Sequence, residues 1–582
     1  MILAPARKTR SQEAIERADK LRLDGFGEFR SRVATNNDEV IEQRKRIVAY
    51  PLLELRGESS MDRDELTATQ VLIAYVWKAM DVQEVLNCCI EVVKEAFDIA
   101  AEVDRKWFGS KQKPPLYGIP FSVKGSFYVS DLILLIKLTG YDCSIGLTKF
   151  LNQPKMVDCS LVAHFRILGG IPFVITNVPE ALMSFVCSNT IYGTTLNPND
   201  FSRSPGGSTG GGCALFTAGG TPFGSGKDLI GSLRVPAAFC GVVTLKLCQE
   251  RLVVENTFPE LLGRFHLGKG FGFYTHNVEE QIMLLKTIVG DPEYRKIVPA
   301  STPAPLDETK LACTDKLRLG YYEEDGFTPA VPGVKRCVLE TVERLKQQGH
   351  HLIRFSVPEP ERMVRLLCKL ITSSGNDYLQ SLFEGEPVDP LIKMFVRLLM
   401  IPNSCRWLIS GLLKNLCPQL SVVFAAYVSN LKDLRLADEQ RDEYREKFID
   451  YWKELRIDGL ICPTLPVPAV QHQYLAKMLT VAVYTALYNL LDFPAGVVPA
   501  GNVSAQDDED LLNDSKFPIG YNPVLKTIRE AAANSEGMPL SVQVVTLPYE
   551  EETCLRIMRE VEKVWKEDYR KSEQVQVQVP PE

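Results

Sequence analysis

Histidine is scarce in this chain, six in 582 residues, and none falls between Ser204 and Gly241, where the densest run of glycine and serine lies. A serine–histidine relay therefore has no local support, and the six read as structural residues. The 15 cysteines include no C-x-x-C pair, so neither a zinc framework nor a dithiol redox motif is visible. Basic residues are not in excess. The formal net charge of −7 removes the electrostatic footprint expected of a nucleic-acid partner. The N-terminus, Met1-Ile2-Leu3-Ala4-Pro5-Ala6-Arg7-Lys8, has no apolar run of signal-peptide length, so free thiols in a reducing, cytosol-facing compartment are expected. One stretch, 478–500, has Asp492 as its only charged residue, but Pro494 breaks it and leaves about 14 helical residues where a span needs ~20. A buried helix followed by a loop and a strand is expected there.

What is present reads as a soluble mixed α/β chain. Residues 11–50 are densely charged with apolar positions at helical spacing, which predicts a helical arm over 1–55 outside a core that begins near Leu52. One large domain would then cover 56–570, with a disordered tail over 571–582. A helix is expected from Asp64, where acidic residues favour a helix start, and another over 90–104. From Gly118 to Leu245 the texture changes to short β-rich runs and glycine-rich loops. Further strands are expected at 171–176, 242–245, 317–322 and 458–463, and a helix over 334–348. Strands alternating with helices predict an α/β fold, a mixed or parallel sheet covered on both faces with its chemistry on the loops.

The chemistry-bearing residues cluster in that region. Lys124 ends Gly118-Ile119-Pro120-Phe121-Ser122-Val123-Lys124. Ser208 sits in Ser204-Pro205-Gly206-Gly207-Ser208-Thr209-Gly210-Gly211-Gly212, and Ser232 in Asp228-Leu229-Ile230-Gly231-Ser232-Leu233-Arg234. A serine nucleophile needs a proton acceptor, a relay and N–H groups for the oxyanion, and this segment offers candidates for each. A phosphate-binding loop is the competing reading. It fails because Thr221 stands where a Walker loop has its first glycine, and Asp228 rather than Ser or Thr follows Lys227.

These motifs, in this order, resemble the amidase signature family over about residues 60–565. The resemblance extends to Thr176-Asn177-Val178-Pro179, Cys187-Ser188-Asn189, Pro236-Ala237-Ala238-Phe239-Cys240-Gly241 and Leu487-Tyr488-Asn489-Leu490-Leu491-Asp492-Phe493-Pro494. It implies the family's fold, a large twisted mixed β-sheet with helices on both faces. It also implies a serine hydrolase with Ser232 as nucleophile, Ser208 as bridging shuttle on a cis Gly207–Ser208 bond, and Lys124 as terminal base. The oxyanion hole would fall on the N–H groups of Leu229, Ile230, Gly231 and Ser232. No cofactor or metal is implied. A homodimer is possible by analogy with the family.

The chain departs from the family at Ile230, usually glycine, at Lys227, usually a small hydroxyl residue, and at Gly125, usually acidic. If the position of Ile230 needs a positive φ, a β-branched residue forbids the loop. About nine extra residues at 130–138 are either a surface extension or an insertion that displaces the strand carrying Lys124.

From Leu391 to Asn430 there is no acidic residue, while Lys393, Arg397, Arg406 and Lys414 punctuate apolar runs. Two short helices presenting Phe395, Val396, Leu399, Trp407, Leu408, Leu412 and Leu413 would either pack into the core or form an interfacial hairpin on an anionic membrane surface. The family members that cleave fatty acid amides, such as N-acylethanolamines, place a membrane-binding cap in this region. By the same resemblance Leu182, Met183, Phe185 and Tyr378 would line an acyl channel. The expectation is a peripheral or monotopic amidase on a cytosol-facing intracellular membrane, cleaving fatty acid amides to a fatty acid and an amine. An amidase or esterase of other specificity remains open, as does an impaired homologue that binds acyl lipid without turnover.

Overall fold

The computed structural model describes residues 10–56, 61–130, 140–261, 267–372 and 377–572. Eleven strands form one mixed sheet. From edge to edge it runs Cys89–Val92, Ile171–Thr176, Pro120–Lys124, Gly224–Asp228, Gly270–Thr275, Val243–Lys246, Ala495–Asn502, Pro539–Val545, Gly459–Pro463, Arg318–Tyr321 and His351–Arg354. The strand Pro120–Lys124 is parallel to both neighbours, pairing Lys124 with Thr176 on one side and Ser122 with Gly224 on the other. All its residues are buried, as are those of Ile171–Thr176 and Gly224–Asp228. Parallel strands covered on both faces read as continuous rather than alternating runs. Because the strands carrying Lys124 and Asp228 are parallel, their last residues emerge at the same end of the sheet, where ligands of open α/β sheets characteristically bind.

The helix Ala68–Leu86 starts four residues later than the acidic run suggests. Thr67 accepts from the Gln70 N–H at 3.1 Å and donates its own N–H to Gln70 Oε1 at 2.9 Å, a reciprocal cap that fixes the boundary. The helix expected over 90–104 is divided. Cys89–Val92 is an edge strand antiparallel to Ile171–Thr176, and the helix runs Ala96–Trp107. The β-branched Ile90, Val92 and Val93 favour the pleated surface over a helix.

The N-terminal helices Arg10–Val33 and Asp38–Ala49 are not an exposed arm. Phe26, Phe29, Val33 and Ile47 are buried in the main core, and Phe29 stacks edge-on against Phe97 with centroids 5.3 Å apart. A single apolar stripe anchors these otherwise charged helices. Other elements fall where periodicity places them, including the helix Pro332–Gln347 and the strands Arg318–Tyr321 and Gly459–Pro463. After the helix Val483–Leu490 the chain turns through Asp492 and enters Ala495–Asn502. Among the described residues no helix is long and apolar enough to cross a membrane.

Residues 391–430 form three short helices rather than two, Lys393–Leu399, Asn403–Leu413 and Pro418–Ala425. Pro402 and Pro418 each open a new helix, as a residue with fixed φ and no N–H does well at a helix start. The tail at 571–582 is described only to Ser572, and of the segment 130–138 only Ser130 is described. Ser130 pairs with Gly140 as an isolated bridge.

Candidate active site

Lys124 is the last residue of its strand and is completely buried. Its Nζ lies 2.8 Å from Ser208 Oγ, 2.9 Å from Thr209 Oγ1 and 3.5 Å from the Lys227 carbonyl. The Thr209 hydroxyl donates to the Ser232 carbonyl at 2.6 Å, so it can only accept from Lys124. The Lys227 carbonyl is likewise an acceptor. A neutral amine has two N–H groups and one lone pair. Once the two N–H groups serve Thr209 and Lys227, the lone pair is left for the Ser208 hydroxyl. Burial, and next the charge of Lys227, pull Lys124 down to about 7, so the free amine is accessible near neutral pH. The extra segment at 130–138 does not displace this residue.

Ser208 follows a cis Gly207–Ser208 peptide bond and is fully buried, and Thr209 opens the buried helix Gly210–Thr217. A Cβ on Gly211 would come within 2.6 Å of the backbone of both Asn177 and Cys88, so only glycine lets this helix approach the sheet. Ser232 is 8% exposed where Ser208 and Lys124 are 0%, and it alone of the three opens onto a cavity. The Ser208 and Ser232 hydroxyls are not hydrogen-bonded to each other. Of the two contacts the expected relay needs, the structure shows the one between Lys124 and Ser208.

The loop between Asp228 and Ser232 is held by a buried ion pair. Arg234 meets Asp228 through Nε to Oδ2 at 2.9 Å and Nη2 to Oδ1 at 2.8 Å. It also reaches Gln543 Oε1 at 2.7 Å and Asn489 Oδ1 at 2.6 Å. Burial opposes the charge on Asp228, but Arg234 and further hydrogen bonds hold its carboxyl far below the usual range. Gly231 donates its N–H to Asp228 Oδ1 at 2.7 Å, which removes it from the expected set of oxyanion donors. The N–H groups of Leu229, Ile230 and Ser232 have no acceptor among the described residues.

The positive φ falls on Gly231, at +123°, and a Cβ there would sit 2.3 Å from Thr485 Oγ1. Ile230 lies outside the left-handed region and its carbonyl accepts from Thr485 Oγ1 at 2.7 Å. The β-branched substitution is thus compatible with the loop. Lys227 is buried and paired with Glu260, Nζ to Oε1 at 2.8 Å, and it also donates to the Phe258 carbonyl. Gly125 admits no larger residue without moving the Thr176 carbonyl, 2.7 Å from where a Cβ would lie.

A cavity of about 200 Å³ runs from Ser232 and Ile230 past Leu182, Met183 and Phe185 to the helices of 391–430. Phe395, Leu398, Leu399 and Phe424 form its far wall, so Phe395 and Leu399 face inward rather than outward. Tyr378 does not line it. Its hydroxyl donates to the Pro259 carbonyl at 2.7 Å and ties the helix Asp377–Phe383 to the loop carrying Glu260. Leu229 lines a second cavity, about 160 Å³, with Glu260 and Lys269. On the outer face Trp407, Leu408 and Leu412 are 71%, 58% and 75% exposed. Lys393, Arg397 and Lys414 are exposed around them. Arg406 is instead buried and donates to the carbonyls of Leu398, Leu399 and Ile401, closing the end of the preceding helix.

Sequence reasoning did not single out Thr209, the Asp228–Arg234 pair, Glu260, Asn489 or Gln543. Asp228 and Arg234 had a signal, since opposite charges flanking a glycine-serine turn seldom stay unpaired once buried. Thr209 and Asn489 lie inside quoted motifs without a signal of their role, and Glu260 and Gln543 come from distant segments with no local mark.

The comparisons agree with this architecture. Residues 70–555 match the family model described as Amidase. The chain is 32% identical to Fatty acid amide hydrolase 1 of Caenorhabditis elegans over 523 residues, 90% of this chain and 89% of that one. It is 32% identical to Fatty-acid amide hydrolase 1 of Sus scrofa over 564 residues, 96% and 91% of the two chains. A solved structure of a fatty acid amide hydrolase superposes with a TM-score of 0.75 at 20% identity, covering 95% of each chain. A bacterial aryl acylamidase of the amidase signature family superposes with a TM-score of 0.66 at 17% identity, covering 89% of this chain and 97% of that one. With the fold, the order of the motifs and the extent of both matches in agreement, the chain belongs to the amidase family and has the amidase signature fold.

Proposed function

We propose that this protein is a membrane-associated serine hydrolase that cleaves fatty acid amides, N-acylethanolamines and primary fatty amides among them, to a fatty acid and an amine or ammonia. The carrying observation is the apolar cavity that begins at Ser232 and ends on the helices whose outer face exposes Trp407, Leu408 and Leu412 among cations. A long acyl chain would fill that cavity, with its carbonyl over Ser232. The similarity to fatty acid amide hydrolases of worm and pig supports the same substrate class.

In this reading Ser232 Oγ attacks the amide carbonyl and passes its proton to Ser208 Oγ, which gives its own proton to neutral Lys124. The N–H groups of Leu229, Ile230 and Ser232 hold the oxyanion. The relay run in reverse protonates the leaving nitrogen, and the amine departs from an acyl-Ser232 ester. Water, deprotonated through the same chain, then releases the fatty acid. The exposed apolar and cationic helix face would seat on an anionic leaflet, from which a lipid amide enters.

The test is hydrolysis of a long-chain N-acylethanolamine in anionic vesicles, compared with acetamide. Turnover of the long-chain substrate that vanishes in Ser232→Ala supports the proposal. Preference for acetamide would favour another amidase specificity. Vesicle binding without turnover of either would favour an idle lipid-binding homologue.

A further inference from the structure

Lys227 stands where the family usually carries a small hydroxyl residue, and its amine is buried on the strand beside that of Lys124. Two lysine amines in one water-free region raise a question of charge, because each isolated buried ammonium is costly. The groups acting on Lys124 from the elements around it are Lys227 and Asp228 on the adjacent strand, Glu260 on the loop beyond Val243–Lys246, and Cys213 and Cys187. Asp228 is committed to Arg234 by two close contacts. Burial pushes both thiols up, which keeps them uncharged. One carboxylate, Glu260, remains for the two amines.

The geometry decides which amine takes it. Lys227 Nζ is 2.8 Å from Glu260 Oε1 and also donates to the Phe258 carbonyl, two acceptors suited to an ammonium. Lys124 reaches two hydroxyls and one distant carbonyl, and no carboxylate forms a salt bridge with it among the described residues. Lys227 is also faced by Lys269 and Cys143; burial pulls it below the ordinary lysine value and Glu260 opposes that, while Lys269 adds positive charge near both. Burial disfavours ionised Glu260, but Lys227 and Lys269 outweigh it and keep the carboxyl below its ordinary range.

We propose that Lys227, held by Glu260, is a positioning residue that claims the one available counter-charge and so keeps Lys124 a free amine able to accept the proton from Ser208. The proposal rests on the reading of Ser232 as a nucleophile driven by Lys124. It gives the departure at Lys227 a role: a hydroxyl there would leave Lys124 without a competing cation. The opposing contributions of Lys227 and Glu260 to Lys124 agree, since the first favours the free amine and the second the ammonium.

The test is the rate at which a fluorophosphonate labels Ser232 in the full chain, followed across pH in wild type, Lys227→Met, Glu260→Gln and the double variant. In Lys227→Met Glu260 loses its closest cation and favours protonated Lys124. The acid limb should move up by about one pH unit, roughly a fivefold slower reaction at the wild-type half-maximum. In Glu260→Gln the limb should move down. The double variant removes both charges of the pair and carries the test where a single variant does not fold. Its limb should lie between those of wild type and Lys227→Met. A limb that stays in place, or moves the same way in both single variants, overturns the proposal while leaving the nucleophile intact. No adduct on wild-type Ser232 at any pH overturns the reading beneath it, and this proposal with it.

Discussion

The two ends of the main cavity invert the usual distribution of residues in opposite ways. At one end Lys124, Lys227, Asp228 and Arg234 are completely buried although charged residues normally stay in water. At the other, Trp407, Leu408 and Leu412 stand in solvent although their side chains normally avoid it. The buried charges are held by partners from distant segments, Glu260, Asn489 and Gln543, so that end is fixed by the sheet. The exposed apolar face is uncovered by the described residues and sits on short helices broken by prolines. One end is built for a set of fixed atomic positions. The other, under the proposed function, would meet a membrane surface, and the cavity runs between them.

The largest effects are expected at the buried end. Ser232→Ala should abolish amide hydrolysis, and Lys124→Ala should lower kcat/KM by roughly 10²–10⁴, the range associated with a lost general base. Both variants should retain vesicle binding, measured by co-sedimentation. Arg234→Ala removes the partner of buried Asp228 and should destabilise the fold by about 3–5 kcal/mol, read from urea unfolding. At the exposed end Trp407→Ser with Leu412→Ser should weaken vesicle binding by at least tenfold, since each buried side chain is worth about 1.5–3 kcal/mol. Hydrolysis of a soluble short-chain amide should be unchanged in that variant. The smallest effect belongs to Tyr378→Phe, which loses one hydrogen bond to Pro259 and should cost about 1 kcal/mol of stability with acyl-chain preference unaltered.

The pH dependence follows from the same contrast. Folding holds Lys124 below its ordinary value, at about 7, so the free amine grows as pH rises through that value. kcat/KM should climb through pH near 7 and level off above it. The same depressed value makes the fold more stable as pH rises from about 7 toward the ordinary lysine range, because there the unfolded chain binds the extra proton.

How much was readable in advance differs between the two ends. Lys124, Ser208 and Ser232 each sit in a short marked motif, so the meeting of Lys124 with Ser208 was legible, as was the strand texture that positions them. Ile230 was legible as a departure but not as a harmless one, because backbone conformation at a single position is set by what packs on it. Here Gly231 takes the positive φ. Glu260 carries no local signal as the partner of Lys227. The charged N-terminal helices concealed a stripe of Phe26, Phe29 and Val33 that an average over charge does not reveal. In the 391–430 region the missing acids and the tryptophan were visible, whereas the inward turn of Phe395 and Leu399 depends on the cavity wall opposite them.

The most direct test of the central claim is to expose the purified chain to a fluorophosphonate and map the adduct by mass spectrometry. A single adduct on Ser232, lost in Lys124→Ala, is the result this account predicts. A folded protein that takes no label, or takes it on another residue, would contradict it.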